Sequence, residues 1–295
     1  MLTRIEIDGF KTFSDFALDL GPFQVIAGAN GAGKSNLFDA LALLSELVGD
    51  NDVRTAFRAV RGEADGLFTF LPNGGSTSVM TLAAEMLVDT KVEDGWGVTA
   101  QIKYTRLRYE IIIEHRIDQH GIQRLYVTHE SLNLIQRGTD SWIHDYKFKG
   151  NAAKRLPPIE SGRKPFISTE GNTFSLHQDG RSGRQNKIAG PIERTILSSV
   201  SNTEFPHAYA ARQEMRTWRF IQLNPEVLRN PCSVLSPPFL DIDGANLPAV
   251  LARLKANDPF ILTDISRDLA NLVPGVLDID VEHDKTRDQY VVWAN

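Results

Sequence analysis

The sequence is poor in cysteine, since Cys232 is the single one among 295 residues. One thiol can form neither an internal disulfide nor a multi-cysteine metal site. This scarcity argues against a disulfide-built secreted protein and favours a reducing, cytoplasmic setting. Long apolar runs are also missing, because no stretch approaches about 18 uncharged apolar residues. The first eight residues carry acids where a signal peptide needs an apolar segment. We therefore expect a soluble protein without a membrane span.

Internal repeats and low-complexity tracts are absent, and the composition is globular, with 42% hydrophobic and 23% charged residues. The net charge of −5 gives no general indication of nucleic-acid binding. The charge is uneven, however, because residues 146–190 hold nine Lys and Arg against three acids. A local basic surface of this kind can bind anions, and the alternative interpretation is a solvated, loop-rich insert.

The first 50 residues alternate between strand and helix patterns. Residues 2–7 and 16–20 alternate as short strands do, and residues 23–27 (Phe-Gln-Val-Ile-Ala) form an apolar run typical of a buried strand. After a glycine-rich segment, apolar residues recur at helical spacing from Leu37 to Val48. This order predicts an α/β unit with a buried sheet.

The pattern changes further along the chain. Residues 77–134 alternate over long stretches, with a register change near 105–106 and a hairpin loop at 118–121, which predicts an antiparallel sheet. Helical patterns return at residues 191–201, 206–220, 246–256 and 259–272, before a hairpin made by 276–281 and 289–293. The predicted organisation is a lobe over 1–145, a basic loop-rich insert over 146–190 with short strands such as Thr173–His177, and a helical region with a β-hairpin over 191–295.

The glycine-rich segment follows the third predicted strand and opens the predicted helix. It reads Gly28-Ala29-Asn30-Gly31-Ala32-Gly33-Lys34-Ser35 and matches the P-loop pattern G-x-x-x-x-G-K-[ST] at every fixed position. Glycines let successive backbone N–H groups point toward phosphate oxygens, and the helix N-terminus adds its own N–H groups. Lys34 can reach the β- and γ-phosphates, and the Ser35 hydroxyl can ligate Mg²⁺. The motif therefore predicts binding of a nucleoside triphosphate with Mg²⁺.

Two other P-loop classes fit the sequence poorly. A GTPase needs an Asp-x-x-Gly switch followed by an Asn/Thr-Lys-x-Asp motif. Residues 241–244 and 90–93 imitate these motifs in the wrong order, and Glu93 stands where aspartate is required. A small-molecule kinase would not place two short strands before the P-loop strand.

The segment Gly9-Phe10-Lys11-Thr12-Phe13 between two strands, followed by the P-loop and Asn36, resembles the start of the RecF/SMC/OLD-like ABC-type P-loop ATPases. Weaker similarity lies in Glu130-Ser131-Leu132 and in Asp243-Gly244-Ala245-Asn246-Leu247. Members of this family mostly act on DNA in repair, chromosome organisation or anti-phage defence. The resemblance implies an α/β fold of the ABC-ATPase type. Its parts would be a buried P-loop sheet, an antiparallel β subdomain and a following helical segment.

The resemblance also implies which residues contact ATP and Mg²⁺. The phosphate-loop positions are Asn30, Gly31, Ala32, Gly33, Lys34, Ser35 and Asn36, with Ser35 as the Mg²⁺ ligand. Lys11 matches a position where the family often has a basic residue close to the nucleotide. Gln222 is the candidate for a glutamine that senses Mg²⁺, and Arg58 and Arg61 are candidates for an arginine that meets DNA or nucleotide.

Two family motifs are missing from the sequence, namely a Ser-x-Gly signature opening a helix and an apolar strand ending in Asp-Glu. The catalytic residues are therefore unknown. We expect the sequence to be the N-terminal part of a longer ATPase, a truncated chain or one half of a split enzyme, which binds ATP but hydrolyses little alone. In the family, ATP lies between one subunit's P-loop and the other's signature. A homodimer or a partner chain is thus implied, whose closure would control engagement of DNA or an effector protein.

One alternative function has a different basis. The basic segment 146–190 would recognise nucleic acid in a non-enzymatic module that keeps ATP as a structural or signalling ligand. A transition-metal site is not supported, because the seven histidines are scattered and none has His-x-x-x-His spacing.

Overall fold

The computed structural model describes residues 1–63, 65–72, 74–117, 119–136, 138–146, 165–178, 185–237, 239–258 and 260–294. The strands are β1 (Leu2–Asp8), β2 (Phe16–Asp19), β3 (Val79–Leu87), β4 (Lys91–Glu93), β5 (Thr99–Gln101), β6 (Arg106–Ile117), β7 (Gln123–Leu134), β8 (Ile167–Glu170), β9 (Thr173–His177), β10 (Gln185–Ala189), β11 (Cys232–Ser233), β12 (Ile279–Asp284) and β13 (Gln289–Ala294). The α-helices are α1 (Lys34–Leu47), α2 (Val53–Ala59), α3 (Ser141–Asp145), α4 (Pro206–Arg216), α5 (Leu247–Asn257) and α6 (Ile261–Leu272). These elements divide into unit 1, Met1–Trp218, and unit 2, Arg219–Asn295.

An antiparallel sheet of eight strands, in the order β10-β9-β8-β7-β6-β3-β1-β2, organises unit 1. Its longest pairing joins β6 to β7 across the predicted hairpin, with a register shift between Ile112 and Ile113. The small β4–β5 hairpin is separate from this sheet. The sequence therefore predicted the antiparallel sheet correctly.

One face of the sheet carries the apolar core of unit 1. Alternate residues such as Ile5, Leu82 and Ile111 are fully buried there, as expected where successive side chains point to opposite faces of a strand. The helix α1 adds a buried stripe, which comprises Leu37, Ala40, Leu43, Leu44 and Leu47. Residues three and four apart lie on one side of a helix, so this stripe follows from the sequence spacing.

The other face of the central strands is charged and partly exposed. Arg108 of β6 donates to Glu6 of β1 at 2.7 Å and also pairs with Glu85 and Glu110. Arg4 pairs with Glu6 and with Asp19 of β2. The hydrogen bond from Arg108 is the main cause that lowers the pKa of Glu6 to about 2. Opposite charges on neighbouring strands thus support the strand register.

A buried arginine connects α3 to the sheet. The Arg106 side chain is fully buried and donates to both carboxylate oxygens of Asp140, at 2.6 and 3.0 Å. It also donates to the Thr3 hydroxyl at 2.6 Å and lies over the Trp142 ring, 4.9 Å from its centroid. The guanidinium is therefore paired and hydrogen-bonded, as a buried charge requires.

The predicted buried strand at residues 23–27 is wrong. These residues pair with no strand within the described part of the chain, and the Phe23 and Val25 side chains are 85% and 68% exposed. An apolar run becomes a buried strand only where neighbouring strands and a covering layer are present. The antiparallel sheet and the helices of the predicted α/β ABC-ATPase-type fold are present, but the buried P-loop sheet is not formed by these residues.

Two further sequence predictions differ from the structure. Only Leu197–Ser199 is helical within 191–201, as a short 3-10 turn, because Ile192 instead bonds to the edge of β7 through Val127. The insert 146–190 contributes β8, β9 and β10 to the main sheet, and β9 is the strand Thr173–His177 that the sequence predicted. The boundary between the two units lies at 218/219, whereas the sequence placed one at 190/191.

Unit 2 packs α5 and α6 with a three-stranded sheet in the order β11-β13-β12. Leu251, Leu262 and Val281 form its small buried core. The terminal hairpin predicted from the sequence is the β12–β13 pair. Across the described residues of both units, no helix is both long and apolar enough to cross a bilayer.

Candidate functional site

The P-loop joins the exposed segment 23–27 to the start of α1. Gly31 and Gly33 have φ angles of +82° and +88°, in the left-handed region that favours glycine. Gly33 is the N-cap of α1, and its carbonyl accepts the first helical hydrogen bond from the Leu37 N–H at 3.1 Å. The helix therefore begins at Lys34, as predicted, and its free N–H groups lie at the end of the glycine-rich loop.

Lys34 folds back over the loop that precedes it. Its Nζ donates to the carbonyl oxygens of Gly28 and Ala29, at 2.6 and 2.7 Å. The turn is also closed by the Ala32 N–H, which donates to the Ala29 carbonyl at 3.3 Å. The ammonium group of Lys34 thus lies at the mouth of the loop. If an anion bound there, Lys34 would exchange its two carbonyl partners for a group with a full negative charge.

Thr12 links the β1–β2 connection to the P-loop, a contact that sequence reasoning did not identify. The Asn36 Nδ2 donates to the Thr12 hydroxyl at 3.0 Å. A Cβ at Gly33 would lie 3.2 Å from the same hydroxyl oxygen and 3.8 Å from the Phe13 ring. Thr12 and Phe13 therefore pack closely on the loop, which explains why the sequence needs glycine at 33 for space as well as for its φ angle.

Lys11 binds protein groups rather than pointing freely into the loop. Its Nζ donates to Asp39 of α1 at 2.6 Å and to the Arg61 carbonyl at 2.7 Å. Arg61 donates to the same Asp39 oxygen at 2.8 Å. Asp39 thus holds two of the basic residues singled out in the sequence. The assignment of Lys11 to ATP stays a prediction.

The remaining basic and polar candidates lie elsewhere. Arg58 is exposed on α2 and lines a cavity with Arg54. Gln222 belongs to unit 2, where it is exposed and its backbone N–H donates to the Ile242 carbonyl at 2.8 Å. The predicted basic surface of residues 146–190 falls largely outside the described residues, and its role stays a prediction.

Among the described residues, the P-loop region offers few side chains that could ligate Mg²⁺. The Ser35 hydroxyl lies in the first turn of α1 and is exposed. Among the residues that the structure describes, no group of three or more His, Cys, Asp or Glu could hold a metal ion. Ser35 therefore fits Mg²⁺ only together with oxygens from phosphate groups, which is how a P-loop serine takes part in metal binding.

Two segments with weaker family similarity have structural roles. Glu130 is fully buried and accepts from the backbone N–H groups of Ile196 and Leu197, at 2.5 and 2.8 Å, and from the Tyr109 hydroxyl at 3.1 Å. Burial raises the pKa of Glu130 to about 7. Asn246 closes a turn in unit 2 by donating to the carbonyls of Pro237 and Phe239.

Comparison with known proteins gives the class of this site. Residues 4–52 match a family model described as an AAA domain. A DNA replication and repair protein RecF from Rhizobium leguminosarum bv. trifolii is 32% identical over 105 residues, which are 34% of this chain and 25% of that protein. The chain therefore spans a quarter of the length of the curated relative that it matches.

Solved structures of SMC ATPases are also similar. One, from work on ATP-driven dimerization and DNA-stimulated activation of SMC ATPases, has a TM-score of 0.31 and 16% identity, covering 52% of this chain and 95% of its own. Another, an SmcHead bound to the C-winged helix domain of ScpA, has a TM-score of 0.45 and 13% identity, covering 100% of this chain and 67% of its own. The family model and the RecF relative confirm the predicted resemblance to the RecF/SMC-like ABC-type P-loop ATPases.

Proposed function

We propose that the chain binds ATP with Mg²⁺ through residues 28–36, as the nucleotide-binding part of a RecF/SMC-like ATPase. The observation that carries this proposal is the loop itself, with two left-handed glycines, a lysine ammonium at its mouth and a helix N-terminus at its end. These features give backbone N–H groups and an ammonium group as donors for the oxygens of a triphosphate. Their position within the matched AAA segment supports the same function.

The individual residues would act in distinct ways. Backbone N–H groups of the loop and of the first turn of α1 would bind the phosphate oxygens, and Lys34 would exchange its two carbonyl partners for the β- and γ-phosphates. The Ser35 hydroxyl would hold Mg²⁺, which supplies neutralisation of the phosphate charge. Asn36 and Thr12 would keep the loop in place through their hydrogen bond.

Hydrolysis would need groups from a partner segment. Phosphoryl transfer requires a positioned water and charge neutralisation around the γ-phosphate, and the sequence has neither the signature nor the Asp-Glu strand end. The exposed side chains of Phe23 and Val25 support a partner that covers residues 23–27. We infer that a second chain, or further sequence of the same protein, supplies those motifs when it binds there.

The wider role follows from the family resemblance. ATP-dependent closure of two such ATP-binding parts would control engagement of DNA or of an effector protein, in DNA repair or anti-phage defence. The sequence relative named as a DNA replication and repair protein supports the first of these roles.

Isothermal titration calorimetry with Mg²⁺–ATP tests the nucleotide assignment. We expect Lys34→Ala to weaken ATP binding at least tenfold, because a charge-assisted contact contributes about 1.5–3 kcal/mol and about 1.4 kcal/mol is a factor of ten. Lys285→Ala, which removes an exposed lysine from the β12–β13 turn, is the matched control and should leave the affinity unchanged. ATP binding of equal strength in both variants would contradict the assignment.

A further inference from the structure

Unit 1 has a cavity whose lining includes none of the P-loop residues. Its volume is about 350 Å³, and it lies between α2, the turn that follows it, and the ends of β6 and β7. The residues that line it are Arg54, Arg58, Gly62, Glu63, His115, Gln123 and Leu125. Small-molecule sites occupy roughly 300–1,000 Å³, so the cavity is large enough for one small ligand.

The fold fixes the two arginines on one side of the cavity. Val53, Ala56 and Phe57 of α2 are buried in the core, and the other residues of this helix face outward. Arg54 and Arg58 are exposed and four residues apart, a spacing that places both guanidinium groups on the same side of the helix. Asp52 caps α2 by accepting from the Thr55 N–H at 2.7 Å, which fixes where this helix begins.

The opposite wall comes from the β6–β7 hairpin. His115 and Leu125 are paired across the two strands, and Gln123 lies opposite Ile117. The His115 ring stacks on Phe68 with the ring centroids 5.7 Å apart, and its backbone N–H donates to the Ser78 carbonyl at 2.8 Å. The wall thus presents an imidazole, an amide and an apolar surface in a fixed arrangement.

The charges of the cavity are unbalanced. Within the part of the chain that the structure describes, neither Arg54 nor Arg58 has a hydrogen bond or ion pair from its side chain. Glu63 is the one acid among the described lining residues, and Asp52 at the start of α2 attracts Arg54 over a longer distance. Two like charges four residues apart destabilise a helix. An anion between them would remove that repulsion, and guanidinium groups match the oxygens of a phosphate group in bidentate geometry.

We propose that this cavity is a second anion site, which binds a phosphorylated small molecule of about the size of a mononucleotide. Arg54 and Arg58 bind the phosphate group, while His115 and Gln123 hydrogen-bond to the rest of the ligand against the apolar surface of Leu125. A cavity of this volume suits a single phosphorylated compound. Its described lining offers two arginines, which match one phosphate group rather than the row of phosphates along a nucleic acid.

Calorimetric titration with inorganic pyrophosphate and with AMP, in the absence of Mg²⁺, tests this proposal. The full chain carries Lys34→Ala in every sample, so that the P-loop does not contribute and the result is independent of the ATP assignment. We expect at least one of the two probes to bind, and Arg54→Gln with Arg58→Gln to weaken that binding at least tenfold. Gln123→Glu, an exposed change that adds a carboxylate to the lining, should weaken it similarly and serves if the double variant does not fold.

The matched control is Arg216→Gln with Arg229→Gln, which removes the same charge from exposed positions outside the cavity and should leave the affinity unchanged. A thymidylate decamer, which is a short single-stranded DNA, tests whether the bound phosphate belongs to a small molecule or to a nucleic acid. Binding of the decamer but not of pyrophosphate or AMP, with loss on Arg54 and Arg58 replacement, would overturn the small-molecule proposal in favour of nucleic acid. Absence of binding by all three probes, or equal weakening by the cavity and control variants, would overturn the site itself.

Discussion

At the scale of single residues, Glu130 shows how burial changes the chemistry of a side chain. The sequence placed it in a weak family motif after a long strand, but its carboxylate lies at the centre of a buried network. It joins β7 to the 3-10 turn at 197–199 through two backbone N–H groups. The alternation along β7 predicts only on which face of the sheet Glu130 lies. It cannot reveal that Ile196 and Leu197, 66 and 67 positions further along, supply the hydrogen-bond donors.

The raised pKa of Glu130 predicts a pH dependence of the free energy of unfolding. Its pKa is about 7 in the folded protein, against 4.5 for the ordinary group, because burial disfavours the charged form. The folded state therefore keeps a proton that the unfolded state releases between these two values. The stabilisation from this proton is fully present below pH 4.5 and is lost as the pH rises through 7. A shift of this size corresponds to roughly 3 kcal/mol.

Urea unfolding of the parent and of Glu130→Gln at pH 4.5 and pH 8 measures this contribution. We expect the free energy of unfolding of Glu130→Gln to fall much less between pH 4.5 and pH 8 than that of the parent. It should also be less stable at the acidic end, because the Nε2 group of glutamine would face one of the two backbone N–H donors, that of Ile196 or that of Leu197, and leave it without an acceptor. Glu282→Gln on β12, whose side chain is exposed, should keep the parent's pH profile. Equal profiles for parent and Glu130→Gln would contradict the assignment. Glu6 does not interfere, since its lowered pKa of about 2 acts below this window.

At the scale of elements, the end of β1 depends on a glycine that two constraints require together. Gly9 has a φ of +72°, and a Cβ there would lie 2.3 Å from the backbone carbonyl oxygen of Val79 on β3. Gly121 in the β6–β7 turn has a similar φ of +77°, but a Cβ there would meet nothing within 4 Å. Comparing the two positions separates the cost of the left-handed conformation from the cost of the clash.

We expect Gly121→Ala to lower the free energy of unfolding by about 1–2 kcal/mol, the cost of a left-handed conformation for a residue with a Cβ. Gly9→Ala should lower it by about 1–3 kcal/mol more, because the backbone of β1 or β3 must also move. Chemical denaturation of both variants at one pH measures the difference. Equal losses would show that the contact with Val79 is relaxed at little cost. Gly9 also precedes Lys11 and Thr12, so ATP binding should weaken in Gly9→Ala more than in Gly121→Ala.

Local patterns predicted the elements whose packing is also local. The helical spacing of α1 and the alternation of β6 and β7 were sufficient, because each buried face belongs to one element and its sequence neighbours. The left-handed glycines of the P-loop and the helix that follows them could likewise be predicted, since the motif's fixed spacing encodes this conformation, whereas its chemistry toward ATP stays a prediction. Residues 23–27 were misassigned because burial of an apolar run depends on partner strands, which the run itself does not encode.

The remaining site contacts join distant parts of the chain. Asp39 contacts Lys11 and Arg61, and the cavity combines α2 with a hairpin about 60 residues further along. Such contacts follow from the order of strands in the sheet, which places β7 beside β6 and β6 beside β3. The residue types identified Lys11, Arg58 and Arg61 as basic candidates. Only the folded structure shows that Lys11 and Arg61 bind Asp39 and that Arg58 lines the cavity.

At the scale of the whole molecule, nucleotide binding and nucleotide hydrolysis depend on different parts of the site. Unit 1 holds the loop, the lysine and the serine that we propose as the ligands of phosphate and Mg²⁺. The described residues offer no cluster of three acidic or other metal-binding side chains, and the sequence lacks the Asp-Glu strand end that would position water. Binding without efficient chemistry is the expected behaviour of such a partial site.

We therefore expect the isolated chain to bind Mg²⁺–ATP but to hydrolyse it more slowly than about 1 s⁻¹, the lower end of common enzyme turnover numbers. Phosphate release at saturating ATP measures the rate, and Lys34→Ala, which should not bind ATP, gives the background from contaminating enzymes. Turnover above this limit that disappears in Lys34→Ala would mean that residues of this chain already activate water. Slow turnover that rises on addition of a polypeptide carrying the signature and Asp-Glu motifs would support a partner that completes the site. Replacement of the exposed Phe23 and Val25 by serine should then reduce the stimulation while leaving ATP affinity unchanged, because we propose that these side chains contact the partner rather than the nucleotide.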